Sequence, residues 1–239
     1  MTSPKIIKVK LNVLIAFIAS VMMFAAGCNN NPVTETTSTG TGSTSDNISL
    51  SMQGTEEVND NADVNVTEAK GLLTEIELEN NNVVTRRIQA GPIVMPLNVA
   101  GVNSVLTSGI IPAGTYTKIK FQLHKPEDNE TIPDPEFRTG SSGNQRYSFI
   151  IKGTYNGSAF VYKSRKTINI VLNLSSPLNL TTKSNVTVLF KKIDWFRSGG
   201  VTFNPNDDDM SDVIDDNIKN SFKRAFKDDD RNGIDDNSN

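Results

Sequence analysis

The sequence predicts a mostly β chain, an antiparallel β-sandwich with one C-terminal amphipathic helix, and three observations predict it. Over residues 48–196 apolar and polar residues alternate at period two, and no stretch carries a helical face. Turn-forming residues cut that span into short pieces, among them Pro112-Ala113-Gly114 and Asn156-Gly157. After Gly199-Gly200 the spacing of apolar residues changes to three and four, the mark of a helix.

Residues 1–27 precede this body. Lys5, Lys8 and Lys10 lead into an apolar run over 11–26, broken only by Asn12 and Ser20 and ended by small residues. That is the three-part plan of a secretory signal. The run is shorter than the roughly 20 residues needed to span a bilayer as a helix, so a permanent transmembrane anchor is the weaker alternative. The closing residues Ala25-Ala26-Gly27-Cys28 resemble the bacterial lipoprotein signal motif, in which a small residue precedes a Cys. The resemblance implies lipidation of Cys28, a mature chain that begins there, and a membrane anchor in the bacterial cell envelope facing the periplasm or the exterior. Each buried methylene contributes about 0.8 kcal/mol, so two or more acyl chains hold a protein on a membrane stably. An ordinary signal cut near Ala26 or Gly27 is the alternative. Residues 28–47 then switch to Asn, Thr, Ser and Gly, with Val33 the one large apolar residue from 29 on. Such a stretch buries too little surface to offset its ordering entropy and reads as a disordered tether.

The β-domain is expected over 48–198. Thr74, Ile76 and Leu78 alternate with Glu75, Glu77 and Glu79, and Ile93, Met95, Leu97 and Val99 form a second one-sided set. Pro92 and Pro96 suggest an edge position for the latter. Ile119, Phe121 and Leu123 face away from Lys118, Lys120 and Gln122 directly after the turn at 112–114. Residues 147–155 and 159–166 flank Asn156-Gly157, the strongest short hairpin signal because both residues tolerate positive φ. Ile168, Ile170, Leu172 and Leu174 follow, and 186–193 is the last strand, ending at Asp194-Trp195-Phe196. Seven to nine such strands suit a sandwich of the immunoglobulin-like or transthyretin-like kind (~100 residues or more). No fixed internal period is present, which argues against a propeller or solenoid. The stretch Ile110-Ile111-Pro112-Ala113-Gly114-Thr115-Tyr116-Thr117-Lys118-Ile119-Lys120 resembles the signature of a family of uncharacterised bacterial lipoproteins, domains of unknown function in which a Pro-Ala-Gly-Thr-Tyr turn feeds a sandwich strand. That resemblance implies a location more than an activity.

Residues 199–239 form the C-terminal part. Val213, Ile214, Ile218, Phe222, Ala225 and Phe226 lie on one face of a helix predicted over 212–227, with Ser211 as N-cap. Its apolar face is expected to pack on the sandwich beside Trp195 and Phe196; binding a partner is the alternative. Asp207, Asp208, Asp209 and Asp212 suit the N-terminal end of its dipole, and Lys223, Arg224 and Lys227 the C-terminal end. Asp228-Asp229-Asp230-Arg231-Asn232-Gly233-Ile234-Asp235-Asp236 follows, with side-chain oxygens at positions 1, 3, 5 and 9 and Gly at 6. This spacing lets a short loop wrap a hard cation, with Asp228, Asp230, Asn232 and Asp236 as side-chain ligands and the Ile234 carbonyl at position 7. It resembles the EF-hand loop and, more closely, the calcium loops of thrombospondin type 3 and dockerin repeats. Position 12, where an EF-hand supplies a bidentate Glu, is Asn239, so calcium affinity is expected to be weak unless Asp207 to Asp209 or another loop completes the shell. A solvated acidic tail without an ion is the alternative.

Composition narrows function by exclusion. One Cys and one His, Cys28 and His124, rule out a Cys-rich zinc site, a disulfide framework and a two-histidine metal centre. Removing 1–27 takes away three lysines and moves the formal charge from −3 to −6, which lacks the electrostatic footprint of a nucleic-acid binder. His124 is expected as an exposed strand-end residue with no supporting catalytic arrangement. The expectation is a non-enzymatic envelope module that presents its sandwich to protein or glycan, or serves envelope structure, with calcium as a structural ion. The alternative is an envelope hydrolase using the carboxylates of the 127–136 loop, which holds Glu127, Asp128, Glu130, Asp134 and Glu136.

Overall fold

A computed structural model describes residues 46–55, 63–80, 85–97, 101–139, 145–180, 182–192 and 194–237. The expected signal segment over 1–27, Cys28 and almost all of the expected tether over 28–47 lie outside them.

Twelve strands and one α-helix make up the described fold. The strands are β1 (Ile48–Gly54), β2 (Val64–Glu79), β3 (Thr85–Pro96), β4 (Gly101–Gly109), β5 (Gly114–Leu123), β6 (Phe149–Tyr155), β7 (Ser158–Ser164), β8 (Ile168–Leu180), β9 (Ser184–Phe190), β10 (Arg197–Ser198), β11 (Val201–Thr202) and β12 (Phe222–Lys227), with α1 (Ser211–Ser221) just before β12. Ten strands join one sheet in the order β4-β1-β9-β12-β8-β5-β2-β6-β7, with β3 on β2; β10 and β11 form a small separate hairpin. The expected antiparallel arrangement needs correction, because β1 runs parallel to β9 and β12 parallel to β8. The sheet is mixed because elements from both ends of the chain, β1 and β12, pair with strands far from them in sequence, where no hairpin loop dictates direction.

The long β2 is the pivot. β6 pairs its first half, over Val64–Gly71, β5 pairs Leu73–Glu79, and β3 runs along it from Lys70 to Glu79. A bulge at Thr74 puts Leu73 with Ile76 and Leu78 in the core, so Thr74 is half-buried and reaches the Gln122 carbonyl instead. At the other end of the curl Gly109 of β4 lies against β3, so close that a Cβ would sit 2.8 Å from the Ile88 carbonyl oxygen. The sheet therefore wraps a single main core that takes residues from β1 to β12, α1, Trp195 and Phe196. A smaller cluster of Leu72, Phe137 and Ile150 lies apart, beneath the connection between β5 and β6.

Two turns form as the sequence predicts. Asn156 and Gly157 take φ of 50° and 78° and close the β6–β7 hairpin. The Tyr116 hydroxyl donates to the Pro112 carbonyl at 2.8 Å, so the Pro-Ala-Gly-Thr-Tyr turn is latched by its own buried tyrosine.

The predicted helix over 212–227 is half right. Helix α1 starts at Ser211, which is its first residue and not a side-chain cap, and it ends at Ser221. Ile214 and Ile218 are fully buried in the main core, and Asn217 donates to the Trp195 and Arg197 carbonyls at 3.2 and 2.9 Å, so α1 packs beside Trp195 as its apolar stripe implies. Phe222–Lys227 is strand β12, threaded between β8 and β9. A bulge explains the misreading: Phe222 pairs with Phe190 and Ala225 with Val188, with a register shift between, so residues three apart share one strand face. Helix and bulged strand thus present the same spacing, and the edge of β9 selects the strand by pairing with it from Phe222 to Lys227, with one further pair to β8 at Ala225.

Among the described residues no helix is long and apolar enough to cross a membrane.

Candidate metal centre

The aspartate loop begins where β12 ends. Asp228 is fully buried; its backbone N–H donates to the Asn185 carbonyl at 3.0 Å, and its Oδ2 accepts the Thr187 hydroxyl at 2.7 Å and the Gly233 N–H at 3.2 Å. The loop is wound around this carboxylate. Winding it requires left-handed backbone at Arg231 (φ 57°) and Gly233 (φ 83°), and at Gly233 a Cβ would meet the Gln53 side-chain amide at 2.4 Å.

Carboxylate oxygens of Asp228, Asp230 and Asp236 lie within 4.8 Å of one another. Asp230 and Asp236 are exposed, so the site is a buried carboxylate with two solvent-facing ones above it. Of the other predicted ligands, Asn232 is turned inward on the loop: its Oδ1 accepts the Ile234 N–H at 2.7 Å and its amide donates to Asp230 at 2.8 Å. Ile234 places an exposed side chain on the outer surface. Lys227 is the competing charge, 2.6 Å from Asp229 and 3.9 Å from Asp236 Oδ2. The hydrogen bond to Asp229 is the main reason its ammonium is held above the usual lysine range.

Calcium takes about six to eight oxygen ligands, and these three carboxylates could supply three of them. Asp228, Asp230 and Asp236 would hold it, as a structural charge.

Sequence reasoning missed the layer behind the site. Asn185 and Thr187, both buried on β9, tie Asp228 to the sheet, and Asn185 Oδ1 accepts the hydroxyls of Ser49 and Ser51 from β1 at 2.7 and 2.9 Å. Ser175 of β8 donates to Asp235. The sequence carries no sign of it, because Ser51, Asn185 and Thr187 stand at the polar positions of their strands' alternation, where a solvated face is the ordinary reading, and only the structure buries them.

The 127–136 loop is differently organised. Lys70 reaches Asp134 and Glu136 at 2.6 Å each and Glu68 at 3.0 Å, and Lys152 reaches Glu136 at 2.8 Å and Glu68 at 3.1 Å. Burial pushes the Glu136 carboxyl up, but hydrogen bonds from Lys152 and Lys70 outweigh it and bring it down to about 2. Asp134 is likewise lowered, burial opposing and Lys70 prevailing. Glu127 and Asp128 project into solvent, with Asp128 2.7 Å from the buried Arg146. His124 is half-buried just beyond β5, 3.7 Å from Glu127.

Comparisons with protein-family models, curated proteins and solved structures give no match to this chain.

Proposed function

We propose that the chain is a lipid-anchored bacterial envelope protein, a non-enzymatic binding or structural module whose C-terminal loop holds a structural calcium ion. The convergence of Asp228, Asp230 and Asp236 around one point carries the calcium reading. The lipoprotein-like motif at Cys28 and the polar stretch behind it support the anchor. We read the curled sheet as sandwich-like, because its strands enclose one main core between them. Its partner, protein or glycan, is met through that sheet or its loops.

The geometry of the acidic loop favours this reading over the hydrolase. Glycoside hydrolysis needs a carboxyl held above its ordinary range as a proton donor. Asp134 and Glu136 are shifted the opposite way by lysines that also pin the loop to the sheet.

The test has two arms. Calcium titrated into the full chain raises its melting temperature and binds by calorimetry, while the Asp228→Ala/Asp230→Ala double variant shows neither; no response up to millimolar calcium ends the metal reading. Wild type fractionates with membranes and incorporates labelled palmitate, and Cys28→Ala loses both; a Cys28→Ala protein that stays membrane-bound ends the lipid reading.

A further inference from the structure

The connection between β8 and β9 is three residues, 181–183, the length of a hairpin loop. The two strands run antiparallel, since β12 is parallel to one and antiparallel to the other. Strands joined this way ordinarily pair with each other. Here the last strand of the chain stands between them. Its two ladders are unequal: β12 pairs with β9 from Phe222 to Lys227 across the bulge after Phe222, and with β8 only where Ala225 meets Leu174. On their far sides β9 is held by β1 and β8 by β5 along most of their lengths, so the sheet does not depend on β12 for its other pairings.

We propose that β12 is a removable wedge, and that the chain has a second arrangement in which β12 withdraws and β8 and β9 close into a direct hairpin. In that arrangement the backbone groups β12 had satisfied on β8 and β9 satisfy one another, so withdrawal leaves no row of orphaned donors and acceptors in the sheet. What it gives up is side-chain burial, chiefly Phe222, which meets Phe121 edge-on at 5.2 Å and Phe190 at 5.9 Å, together with Ala225 and Phe226, and the hydrogen bonds that tie the flanking residues to β9 and its end, Ser221 to Lys191 and Asp228 to Asn185 and Thr187. Helix α1 passes into β12 without a loop, Ser221 being followed at once by extended Phe222, so the hinge is a single residue. The device rests on strand order, and a cation held by the loop that follows β12 at Asp228 would favour the inserted arrangement.

Native-state hydrogen exchange on the full chain, at rising sub-denaturing denaturant, reads it directly. Amides of β12 are expected to exchange at least about tenfold faster than those of β8 and β9, which stay protected because they pair with each other. If β8 and β9 amides exchange together with β12, the slot opens without closing into a hairpin and the proposal is overturned; a single shared rate for the whole sheet overturns it as well. A second variant guards against simple fraying. Arg224→Cys with Leu189→Cys, in a Cys28→Ser background, links residues that are cross-strand partners. Once oxidised, it is expected to slow β12 to the rate of β8 and β9 and to restore fast exchange on reduction. Fast β12 exchange that survives the cross-link counts against the wedge.

Discussion

Asp215 shows how one residue of this chain carries a pH dependence. It is buried on α1, where burial pushes its carboxyl above the ordinary 3.8, while hydrogen bonds from Tyr162 and Ser164 and the charge of Lys166 pull the other way without prevailing. The Tyr162 hydroxyl sits 2.6 Å from Asp215 Oδ1, and its own ionisation is raised by burial and by that carboxylate. The neutral acid is the form the fold prefers. Its contribution is complete below the unfolded value near 3.8 and is lost as pH rises through the higher folded value. Asp215→Asn keeps an acceptor for Tyr162 and removes the ionisation. The melting-temperature difference, variant minus wild type, should therefore grow from pH 4 to pH 7; a flat difference would contradict the assignment. Gly153 makes the same point without charge. A Cβ there would lie 2.0 Å from the Asn65 carbonyl oxygen, opposite the bulge in β2, so the backbone approach admits no side chain.

At the scale of elements, the segment between β5 and β6 is a strap held by charge over a small apolar pad. Phe137, on a short 3-10 turn over Pro135–Arg138, fills the cluster with Leu72 and Ile150, and Arg138 ties the segment to the carbonyls of Glu127, Asp128 and Glu130. Glu136 and Asp134 have folded values below their ordinary ones, so their contribution is present above the unfolded range near 4 and is lost as pH falls through the folded values, about 2 for Glu136. Glu136→Gln should cost about 1–3 kcal/mol of unfolding free energy at neutral pH, read as a lower denaturant midpoint, because Lys70 and Lys152 lose a shared partner in a half-buried place. The cost should shrink as pH approaches 2. A variant as stable as wild type at pH 7 would show the network to be solvated and weightless. β12 belongs at this scale too, since its helix-like spacing is resolved only by the edges waiting for it.

At the scale of the whole molecule, the calcium prediction is a linkage. A cation that binds only the folded chain adds about 2.7 kcal/mol when its concentration is a hundred times its dissociation constant, and the melting temperature rises accordingly. The contacts through which that effect spreads are in place: Asp228 is bonded to Thr187 and Asn185, Asn185 to Ser49 and Ser51, and Asp235 to Ser175, so β1, β8 and β9 all meet the loop. Ordering the loop therefore bears on three strands of the main sheet. The same connectivity brings the C-terminal stretch, which reads as a separate segment in sequence, into contact with that sheet, which β12 joins.

Local chemistry made much of this legible in advance. Positive-φ residues announced the Asn156-Gly157 hairpin, alternation announced Ile119, Phe121 and Leu123 as a buried face, the paired prolines marked β3 for an edge position (among the described residues it pairs with β2 and lies off the main strand order), and the Asp228, Asp230 and Asp236 spacing marked residues that do converge. Each depends on residues within a few positions of one another. Strand β4 is not legible in the sequence, because its segment, Gly101–Gly109, is short of alternating apolar residues. Which strands are neighbours, the parallel pairings of β1 with β9 and β12 with β8, the conversion of 222–227 from helix to strand, and the placing of Asn185 and Thr187 behind Asp228 were decided only in three dimensions. The physical reason is common to all four: backbone edges and buried polar groups are satisfied by partners tens to more than a hundred residues away, and no local spacing records who those partners are.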